Sequence, residues 1–557
     1  MNKTCGQCGS SFEITEDDLE FYDSVSPVFD NKKFQIPAPK LCSSCRQQRR
    51  LAMRNERSLY HRKCDLTGKD IVSIYSPESP YKVYDQMEWW SDKWDSLAYG
   101  RDFDFSKTFA ENFRALYLDV PHMSLYTINS ENSYYTNYAL EQKNCYLIFG
   151  GGKNEDCIYG KYVSRCTDCV DSLALYSCQN CYQGVGSDDC YGCRFFIHCR
   201  NCSDGLMIEE CSGCRNCIAC FGLKQKQYCI LNKQYSQDEY EKIAGDFKFL
   251  TSEKIEDLKS KLLSLKKDLP HIQSHIYASE NCSGEAVYNC KNCHHAFDSK
   301  DCEDCKYIHF TPRSHDTMDC SFCSPYGTRF SYNICSTVDL ESSMVCFYVW
   351  YGTNLRYSME CHHCNDVFGS VGLKTKQYCV FNKQYTKDEY EKLVAKIITH
   401  MQETGEWGEY FDYQTSPFYY NETIAKEYFP LDKNGIEKLG ARWIDEKSEM
   451  AKEGEYFVPP EDIRDVSEDI CQKILKCEKT GRVYKILPPE LKFYKRMGIP
   501  IPRICSDERH YDRVKLHGYY RLFTRKCDKC GKEIETVYRP EDKETVYCEE
   551  CYLKEVY

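Results

Sequence analysis

Cysteine pairs near both ends of the sequence have the spacing of metal-binding knuckles. Near the start, a Cys-x-x-Cys-Gly knuckle is followed, after a long insert, by a second Cys-x-x-Cys. Two knuckles supply four thiolates for a tetrahedral zinc ion, and the glycine eases the tight turn around the metal. Near the end, two more knuckles bracket a hairpin-like stretch; unligated cysteines that share this spacing by chance are the alternative. The predicted zinc ligands are Cys5, Cys8, Cys42, Cys45, Cys527, Cys530, Cys548 and Cys551.

The C-terminal set has an incomplete copy earlier in the chain. RKCDLTGKDIVSIYSPESPYKVYDQMEWW, from Arg62, aligns without gaps on RKCDKCGKEIETVYRPEDKETVYCEECYL, from Arg525. The copy keeps only the first cysteine of the ligand set, because Thr67, Asp85 and Glu88 replace the others. We expect this hairpin to fold without metal, stabilised by three nearby tryptophans, with a Cys–Asp–Glu site as the alternative.

The N-terminal set has a similar copy near the C-terminus. CGQCG and CSSCR resemble CEKTG, from Cys477, and CSDER, from Cys505, where Thr480 and Glu508 replace the second cysteine. Each end is therefore predicted to be a tandem of two ribbons, one of which retains its full ligand set. The weaker metal candidates are Cys64, Asp85, Glu88, Cys477, Cys505, Glu508 and His510, with Cys471 as a further source of a missing ligand.

A positively charged linker lies within each tandem. RQQRRLAMRNERSLYHRK, from Arg46, carries a net charge of +6, and RHYDRVKLHGYYRLFTRK, from Arg509, carries +5. Basic residues interleaved with Tyr, Leu and Phe beside a zinc ribbon are typical of contacts with a phosphate backbone. A solvated helix face that only spaces two ribbons is the alternative. The predicted nucleic-acid contacts are Arg46, Arg49, Arg50, Arg54, Arg513, Lys515, Arg521 and Arg525.

Cysteines recur every twelve residues through the middle of the chain. Turn-forming Asn or Asp usually precedes them, and short runs such as YLIF and LALY suit strands. A fixed short period with turn residues in register predicts a β-solenoid, and we expect two dodecads, about 24 residues, to form one coil. The series is Cys145, Cys157, Cys169, Cys181 and Cys193, and after a three-residue deletion it resumes at Cys202 and Cys214.

This repetitive region is duplicated. GLKQKQYCILNKQYSQDEYEKI, from Gly222, returns as GLKTKQYCVFNKQYTKDEYEKL, from Gly372, a shift of 150 residues. Each copy is predicted to end in a strand, a turn and a helix that begins near Asp238 or Asp388. EKIEDLKSKLLSLKKDL has leucine at helical spacing and is predicted to be a helical linker. The second copy has looser gaps of 12, 18 and 12 residues between Cys293, Cys305, Cys323 and Cys335.

The middle cysteines admit several interpretations. A ladder of small buried thiols is the simplest, and disulfides are another. Coils about 4.8 Å apart could also bring sulfurs toward the roughly 3.8 Å separation that zinc requires. The run Cys211–Cys220, with a cysteine at every third position, superficially resembles iron–sulfur spacing, although the proline that often follows is absent. An unforeseen metal is best sought at the CHHC of Cys361–Cys364 and at Cys293–His295.

Composition places the chain among globular proteins of several domains. It has 557 residues, 39 of them cysteine, and a net charge of −12. That charge argues against coating nucleic acid over the whole surface but leaves room for a local basic patch. No window reaches the roughly 18 apolar residues of a membrane span, and the first residues lack the apolar stretch of a secretory signal. We therefore expect a cytoplasmic protein without membrane attachment, in which cysteines serve as metal ligands or small apolar side chains.

Two resemblances support this organisation. The first fifty residues resemble a predicted zinc-ribbon, treble-clef-like family with two knuckles, an acidic E-x-x-FY phrase and an Arg-rich tail. Nearly the whole chain resembles long cysteine-rich zinc-ribbon proteins predicted from genomes of uncultivated bacteria, through phrases such as WWSDKWDSLAYGRDFDF, SPFYYNETIAKEYFPL and YCEECYLKEVY. In that group the knuckles at positions 64/67, 85/88, 477/480 and 505/508 tend to be complete, so this chain departs from the pattern there. The resemblance implies zinc and this architecture, and it implies no particular activity.

We therefore predict a mainly β fold with α additions, in which two cysteine-rich β-solenoids are flanked at each end by tandem zinc-ribbon modules. The predicted segments are a zinc ribbon (1–57), a degenerate ribbon (58–100), a helical linker (101–129), the first solenoid (130–235), a second helical linker (236–275), the second solenoid (276–385), a helical or irregular connector (386–465), a degenerate ribbon (466–520) and a C-terminal zinc ribbon (521–557).

Three functions are compatible with these features. The favoured one is a non-catalytic zinc-binding scaffold that recognises a macromolecule, with nucleic acid or a ribonucleoprotein preferred because of the two basic linkers. The second is redox or metal handling by the middle cysteines, through iron–sulfur chemistry or extra zinc. The third is a solenoid enzyme of unknown reaction, for which the sequence offers no phosphate-binding loop, dinucleotide fingerprint or nucleophile elbow.

Overall fold

The protein is mainly β with additional helices, as predicted, in a computed structural model. The structure describes residues 1–303, 309–312, 318, 328–331, 335–343, 345–445, 456–518 and 520–556, and between 304 and 350 it describes side chains only for Met318 and Val345. The predicted repeat positions Cys305 and Cys323, and the side chain of Cys335, therefore lie outside the described residues. None of the helices in this described part has the length and apolar character that a membrane span requires.

The N-terminal region contains two hairpin-and-helix units, unit A (residues 1–57) and unit B (residues 58–100). Each unit starts with a β-hairpin and ends with a helix. That helix begins directly after Cys42 in unit A and directly after Asp85, which replaces a knuckle cysteine, in unit B. The elements are β1 Asn2–Thr4, β2 Ser11–Glu13, α1 Glu16–Ser24, β3 Val28–Phe29, β4 Lys32–Lys33 and α2 Ser43–Leu51, then β5 Tyr60–Lys63, β6 Asp70–Ser73, β7 Val83–Tyr84 and α3 Gln86–Trp90, a 3-10 turn Ser96–Tyr99 and α4 Phe109–Asp119.

An eleven-stranded sheet, here called the large sheet, occupies residues 127–234. Its strands follow one another in sequence order, and all neighbours are parallel except the last pair. Ahead of it lies β8 His122–Met123, and its strands are β9 Thr127–Ile128, β10 Asn137–Lys143, β11 Tyr146–Glu155, β12 Ile158–Ser164, β13 Thr167–Tyr176, β14 Gln179–Asp188, β15 Arg194–Ile197, β16 Leu206–Glu209, β17 Arg215–Phe221, β18 Gln227–Ile230 and β19 Lys233–Gln234.

Neighbouring parallel strands of the large sheet are offset by twelve residues. Ile158 pairs with Val170, Val170 with Tyr182, and Tyr182 with Arg194. The chain therefore returns to the adjacent position after 12 residues, and the predicted coil of 24 residues is wrong. The predicted three-residue deletion is also wrong, because Arg194 pairs with Leu206 at the same offset. The cysteines move to a different position within the twelve-residue repeat, while the pairing register of the strands continues unchanged.

Left-handed backbone recurs at every third residue of the large sheet. From Asp156 through Tyr159 and Tyr162 to Arg165, φ lies between +54° and +59°, and the pattern extends over most of the sheet. Each such residue turns the chain sharply, so a twelve-residue repeat contains four corners. A non-glycine residue pays about 1–2 kcal/mol for this conformation, least for Asn and Asp. The turn residues noted in the sequence therefore mark only one kind of corner, since tyrosine, leucine and alanine occupy others.

The second repetitive region follows a helical linker and has the same parallel pairing. The predicted helices are confirmed, since α5 starts at Gln237, the leucine-rich linker is helical, and α7 starts at Lys387. The elements are α5 Gln237–Ala244, a 3-10 turn Gly245–Phe247, α6 Ser252–Lys267, β20 His271–Ile272, β21 Ile276–Tyr277, β22 Gly284–Tyr288, β23 Ala296–Lys300, β24 His309–Pro312, β25 Thr328–Ser331, β26 Cys335–Ser343, β27 Cys346–Arg356, β28 Ser358–Met359, β29 His362–Phe368, β30 Gln377–Val380, β31 Lys383–Gln384 and α7 Lys387–Glu403. Strands β21–β24 form one sheet and β25–β31 another.

The C-terminal region contains unit C (residues 466–520) and unit D (residues 521–557), which repeat the hairpin-and-helix plan. The elements are 3-10 turns Tyr413–Thr415 and Tyr420–Glu422, α8 Ala425–Tyr428, α9 Lys433–Lys438, 3-10 turns Ile463–Asp465 and Glu468–Gln472, β32 Leu475–Lys476, β33 Val483–Tyr484, α10 Pro488–Met497, α11 Ser506–His517, β34 Phe523–Lys526, β35 Glu533–Thr536, β36 Val546–Tyr547 and α12 Glu549–Val556.

Units B and D each cover the start of a repetitive region. In unit B, β7 pairs in parallel with β8, immediately before the large sheet. In unit D, β36 pairs in the same way with β20, immediately before β21. The first strand of a repetitive array exposes unpaired N–H and C=O groups, so a unit docked at that point protects it.

Candidate metal centres

The four N-terminal cysteines converge on one point. The hairpin of β1 and β2 carries Cys5 and Cys8, while Cys42 stands at the N-cap of α2 and Cys45 lies in its first turn. All four Sγ atoms lie within 4.8 Å of one another, and the Cys8 and Cys42 sulfurs are 3.8 Å apart. Bonds of about 2.3 Å from tetrahedral zinc place thiolates roughly 3.8 Å apart, so this set fits the ion.

The C-terminal cysteines form the same arrangement. Cys527 and Cys530 follow β34, and Cys548 precedes α12, which contains Cys551. The Cys530 and Cys548 sulfurs are 3.8 Å apart, and again all four lie within 4.8 Å. Gly531 has φ of +73°, so its N–H reaches back to the Cys527 carbonyl at 2.9 Å. Among the described residues, these two clusters are the groups in which three or more potential ligand atoms lie this close.

Backbone N–H groups prepare both clusters for thiolates. Burial opposes ionisation of Cys527, but the backbone N–H groups of Cys548 and other knuckle residues outweigh it and lower the pKa of Cys527 to about 6. In the N-terminal cluster, the hydrogen bond with Cys45 lowers the pKa of Cys42 to about 5. The helix N-terminus that follows each second knuckle also favours negative charge. A thiolate, the form that binds zinc, is therefore accessible at neutral pH at Cys42 and at Cys527, whereas hydrogen bonds with Cys42 and Cys548 raise the pKa values of Cys45 and Cys551.

Units B and D repeat the same internal contacts. Arg62 in unit B donates to Asp65 at 2.9 Å and to the Tyr81 carbonyl. Its counterpart Arg525 in unit D donates to Asp528 at 3.1 Å and to the Glu544 carbonyl. Each of these arginines therefore fixes the knuckle turn from outside, whether or not a full ligand set is present.

Unit B keeps the hairpin but turns its carboxylates away from Cys64. The Asp85 N–H still donates to the Cys64 sulfur at 3.2 Å, as Cys548 N–H does to Cys527 in unit D. The Asp85 carboxylate instead caps α3 through the Met87 N–H, and Glu88 pairs with Lys93. Trp89 is fully buried and packs against its neighbouring tryptophans, at 5.1 Å and 5.4 Å between ring centroids. The structure therefore does not bring Cys64, Asp85 and Glu88 together as a ligand set.

Unit C likewise keeps its knuckle turns without a ligand set. Cys505 N–H donates to the Cys477 sulfur at 3.4 Å, and both thiols are buried. Glu508 pairs with Lys479, while the buried His510 faces Glu427, 3.3 Å away. Burial lowers the pKa of His510 to about 3, so this imidazole stays neutral. Cys471, the other suggested ligand, lies on a separate 3-10 turn and is not part of a cluster.

The cysteines of the large sheet point inward and bond to the backbone. Cys157 Sγ lies 3.4 Å from the Glu155 carbonyl and 3.5 Å from the Cys166 carbonyl, and equivalent pairs recur along the sheet. Interior sulfur atoms also accept hydrogen bonds, since the Cys178 N–H donates to Cys166 Sγ at 3.3 Å. Burial raises the pKa of Cys169 well above its usual value, whereas hydrogen bonds with neighbouring thiols, Cys145 first, lower the pKa of Cys157 well below it. This arrangement agrees with a ladder of buried thiols, and the described cysteines are free rather than disulfide-bonded.

The other suggested metal positions are dispersed. In the run Cys211–Cys220, each cysteine is buried and lies near the carbonyl two residues earlier, and the run is not among the close ligand groups of the described chain. At the CHHC sequence, Cys361 and Cys364 are buried, His362 packs under Trp90 at 5.0 Å, and His363 is exposed and stacks on Tyr351. His295 of the Cys293–His295 run faces Glu535. The side chains of His362 and His363, which are neighbours in the CHHC sequence, therefore point in different directions.

Burial contradicts phosphate contact by half of the predicted basic residues. Arg46, Arg50, Arg54 and Arg513 are at most 7% exposed. Arg46 donates to the Leu41 carbonyl, and its counterpart Arg509 in unit C donates to the equivalent Ile504 carbonyl. Arg46 and Arg50 lie on α2, which packs against α8, and Arg513 lies on α11, which packs against β13 and β14, so these side chains turn inward.

The remaining predicted contacts differ in their surroundings. Arg49 pairs with Glu409 at 3.7 Å, and Arg525 is held at the knuckle of unit D. Lys515 and Arg521 are exposed, although Lys515 also lies 3.6 Å from Asp512. Only these last two retain the accessibility that a phosphate contact needs.

A buried cluster of ionisable groups was not predicted. His275 contacts Glu285 at 2.5 Å and lies 3.6 Å from Glu210, and its ring stacks on His198 at 5.2 Å. Burial lowers the pKa of His198 to about 4. The cluster joins the large sheet to the strands after α6. Its members come from distant segments without a shared spacing, so no sequence signal reveals them.

The site and fold together define a class, a β-rich repetitive protein with a four-cysteine centre in its first and its last hairpin-and-helix unit. Comparison with known proteins adds no narrower assignment. No protein-family model matches the chain, and no curated protein matches it either.

Proposed function

We propose that this chain is a non-catalytic zinc-binding scaffold that recognises a macromolecule, with nucleic acid or a ribonucleoprotein as the preferred partner. The observation that carries the proposal is the pair of four-cysteine clusters in units A and D. Four convergent thiols without a histidine or an open ligand position are typical of structural zinc, which closes the coordination sphere and contributes folding energy. Zinc at these clusters would stabilise the knuckles, while the chain itself provides the binding surfaces.

The repetitive regions support the scaffold part of the proposal. We interpret each as a β-solenoid, because parallel strands follow in sequence order at an offset of twelve residues, or eleven between β21 and β22, with corners every third residue over most of their length. Solenoids present long rigid surfaces, and they commonly work as recognition platforms. The interior thiols are buried and directed at backbone carbonyls, which favours this interpretation over redox or metal handling, since an external reactant does not reach them.

Elemental analysis of protein purified without added metal and without oxygen tests the zinc proposal. We expect two zinc ions per chain and no iron. Cys8→Ser and Cys530→Ser should each remove one zinc, whereas the interior variant Cys190→Ser should leave the content unchanged. Four or more zinc ions, or iron, would show that the middle cysteines bind metal and would overturn the proposed role of the interior.

The partner part is tested separately with the zinc-loaded full chain. Fluorescence anisotropy with labelled single-stranded RNA, single-stranded DNA and duplex DNA at several salt concentrations would detect a phosphate-dependent interaction. Binding that weakens steeply with salt supports a nucleic-acid partner. Absence of binding to all three at low salt would refute nucleic acid while leaving the zinc scaffold intact.

A further inference from the structure

A groove between unit A and α7 combines basic and aromatic side chains. Its volume is about 690 Å³, and it is lined by the β3–β4 hairpin, the residues before α4, and one face of α7. Lys392, Lys396 and His400 lie four residues apart on α7 and therefore share that face. Lys32 approaches from the hairpin, with its ammonium 4.8 Å from the Phe34 ring centroid. The lysine side chains are exposed.

The lysines of this groove are available to an anionic ligand. In the described part of the chain, Lys32, Lys392 and Lys396 form no ion pair, unlike Lys33 and Lys387 beside them. Two carboxylates also line the groove, those of Asp30 and Glu403, so its formal charge is +1 on a chain whose net charge is −12. A local excess of positive charge on an acidic protein favours a polyanion that binds at this place rather than over the whole surface.

An exposed aromatic ring accompanies these charges. Phe105 is 45% exposed, an unusual fraction for phenylalanine, and its inner edge is held by Phe103 and His400 at 4.8 Å and 5.7 Å between ring centroids. The ring is thus fixed from beneath while one side remains open. A fixed aromatic face beside lysines is the combination that binds unpaired bases, since each base can stack while its phosphate meets an ammonium group. A duplex covers its base faces and cannot use it.

We propose that this groove binds single-stranded nucleic acid, with Lys32, Lys392 and Lys396 contacting phosphates and Phe105 stacking on a base. The inference rests on the proposed nucleic-acid partner and moves the contact surface away from the basic linkers, whose arginines are largely buried. It also names the class of strand, because stacking requires bases that are not paired. The three lysines bind phosphate in their ordinary charged form and Phe105 stacks as a neutral ring, so the site needs no metal.

Anisotropy with a labelled 20-nucleotide oligo(U) and zinc-loaded full chain tests the site. The Lys392→Gln/Lys396→Gln double variant should bind at least tenfold more weakly at low salt. Each lost phosphate contact should also reduce the slope of log K against log salt by about 0.7, hence by about 1.4 in total. Phe105→Ala should weaken binding roughly 5- to 100-fold with an unchanged slope, because stacking releases no counterions. Lys387→Gln, on the same helix but outside the groove, is the matched control and should bind like the natural chain.

The outcomes separate this site from the broader proposal. Unchanged affinity in both groove variants overturns the groove. If Lys515→Gln/Arg521→Gln then loses binding instead, the nucleic-acid partner stands and its contacts lie at the basic linker that begins at Arg509 and joins units C and D. If the natural chain binds no oligonucleotide, both the groove and the nucleic-acid partner fall. Preference for duplex over oligo(U) would overturn the stacking role of Phe105.

Discussion

Replacement of one interior cysteine distinguishes a hydrogen-bonding thiol from a small apolar filler. Cys166 is fully buried, accepts the Cys178 N–H at 3.3 Å and lies 3.4 Å from the Ser164 carbonyl. Cys166→Ala leaves that buried N–H without an acceptor, at a cost of about 1–3 kcal/mol, and the lost sulfur burial adds about 1 kcal/mol. Cys166→Ser keeps an acceptor and a donor in place, so its cost should be about 1 kcal/mol or less.

The chain itself supports this order. Ser187 occupies an equivalent interior position and accepts the Cys199 N–H at 2.9 Å, while Asn154 accepts the Cys166 N–H at 3.0 Å. Oxygen acceptors are thus already used where sulfur is absent. If cysteine served only as a small apolar side chain, the ranking would reverse, because a buried hydroxyl costs more than a methyl group.

Urea denaturation and hydrogen exchange by mass spectrometry provide the measurement. Because the chain combines hairpin-and-helix units with repetitive sheets, exchange of the Cys178 amide reports the local effect more directly than a global transition does. We expect protection to fall in Cys166→Ala and to remain close to natural in Cys166→Ser. Cys530→Ser is the control, since serine cannot replace a zinc thiolate and should lose the ion. Greater destabilisation by serine than by alanine at position 166 would refute the hydrogen-bonding role.

Three further predictions concern charge and backbone. The folded-state pKa of His198, about 4, lies below its unfolded value of about 6.5, so the free energy of unfolding should fall as pH decreases from 6.5 toward 4. His198→Phe should reduce that fall by up to about 3 kcal/mol, and identical pH profiles in urea melts would contradict it. Arg513→Met removes a 3.0 Å ion pair from the fully buried Asp171 and should cost about 3 kcal/mol in thermal melts without weakening oligonucleotide binding; weaker binding by folded protein would contradict the burial argument. Ser177→Gly, at a φ of +52°, should raise stability by up to about 1 kcal/mol, whereas Ser187→Gly removes a buried acceptor and should lower it by about 1–3 kcal/mol; equal effects would argue against corner strain.

The clusters in units A and D were predictable because ligand spacing is local information. The two residues between paired cysteines fix the knuckle turn. The segment between the knuckles only has to be long enough to connect the hairpin that carries the first knuckle to the helix that carries the second. The twelve-residue repeat was also visible, but its geometry was not. The decisive period is three residues, since Asp156, Tyr159 and Tyr162 all turn the chain. Tyrosine at such a corner carries no turn signature, so composition alone misses it.

The basic linkers show why charge in a sequence does not establish a surface. Arg46 and Arg50 lie four residues apart on α2, and Arg509 and Arg513 repeat that spacing on α11. This spacing places each pair on one helix face, and the face packs inward. Both copies of the linker show this four-residue spacing of arginines in the sequence. The spacing alone does not tell which side of the helix faces the core. Only the partners, such as Asp171 near Arg513, decide that.

Units B and D protect equivalent strands by different means. Both pair one strand with the start of a repetitive region, and both retain the arginine that fixes the knuckle. In the alignment of the two units, Trp89 of unit B stands where unit D has Tyr552. Trp89 is fully buried and donates to the Pro121 carbonyl at 2.9 Å, so unit B has a larger aromatic core where unit D has its four-cysteine cluster. Unit D has a smaller ring at this position, and we expect it to depend on a metal ion at its four cysteines to hold β36 against β20.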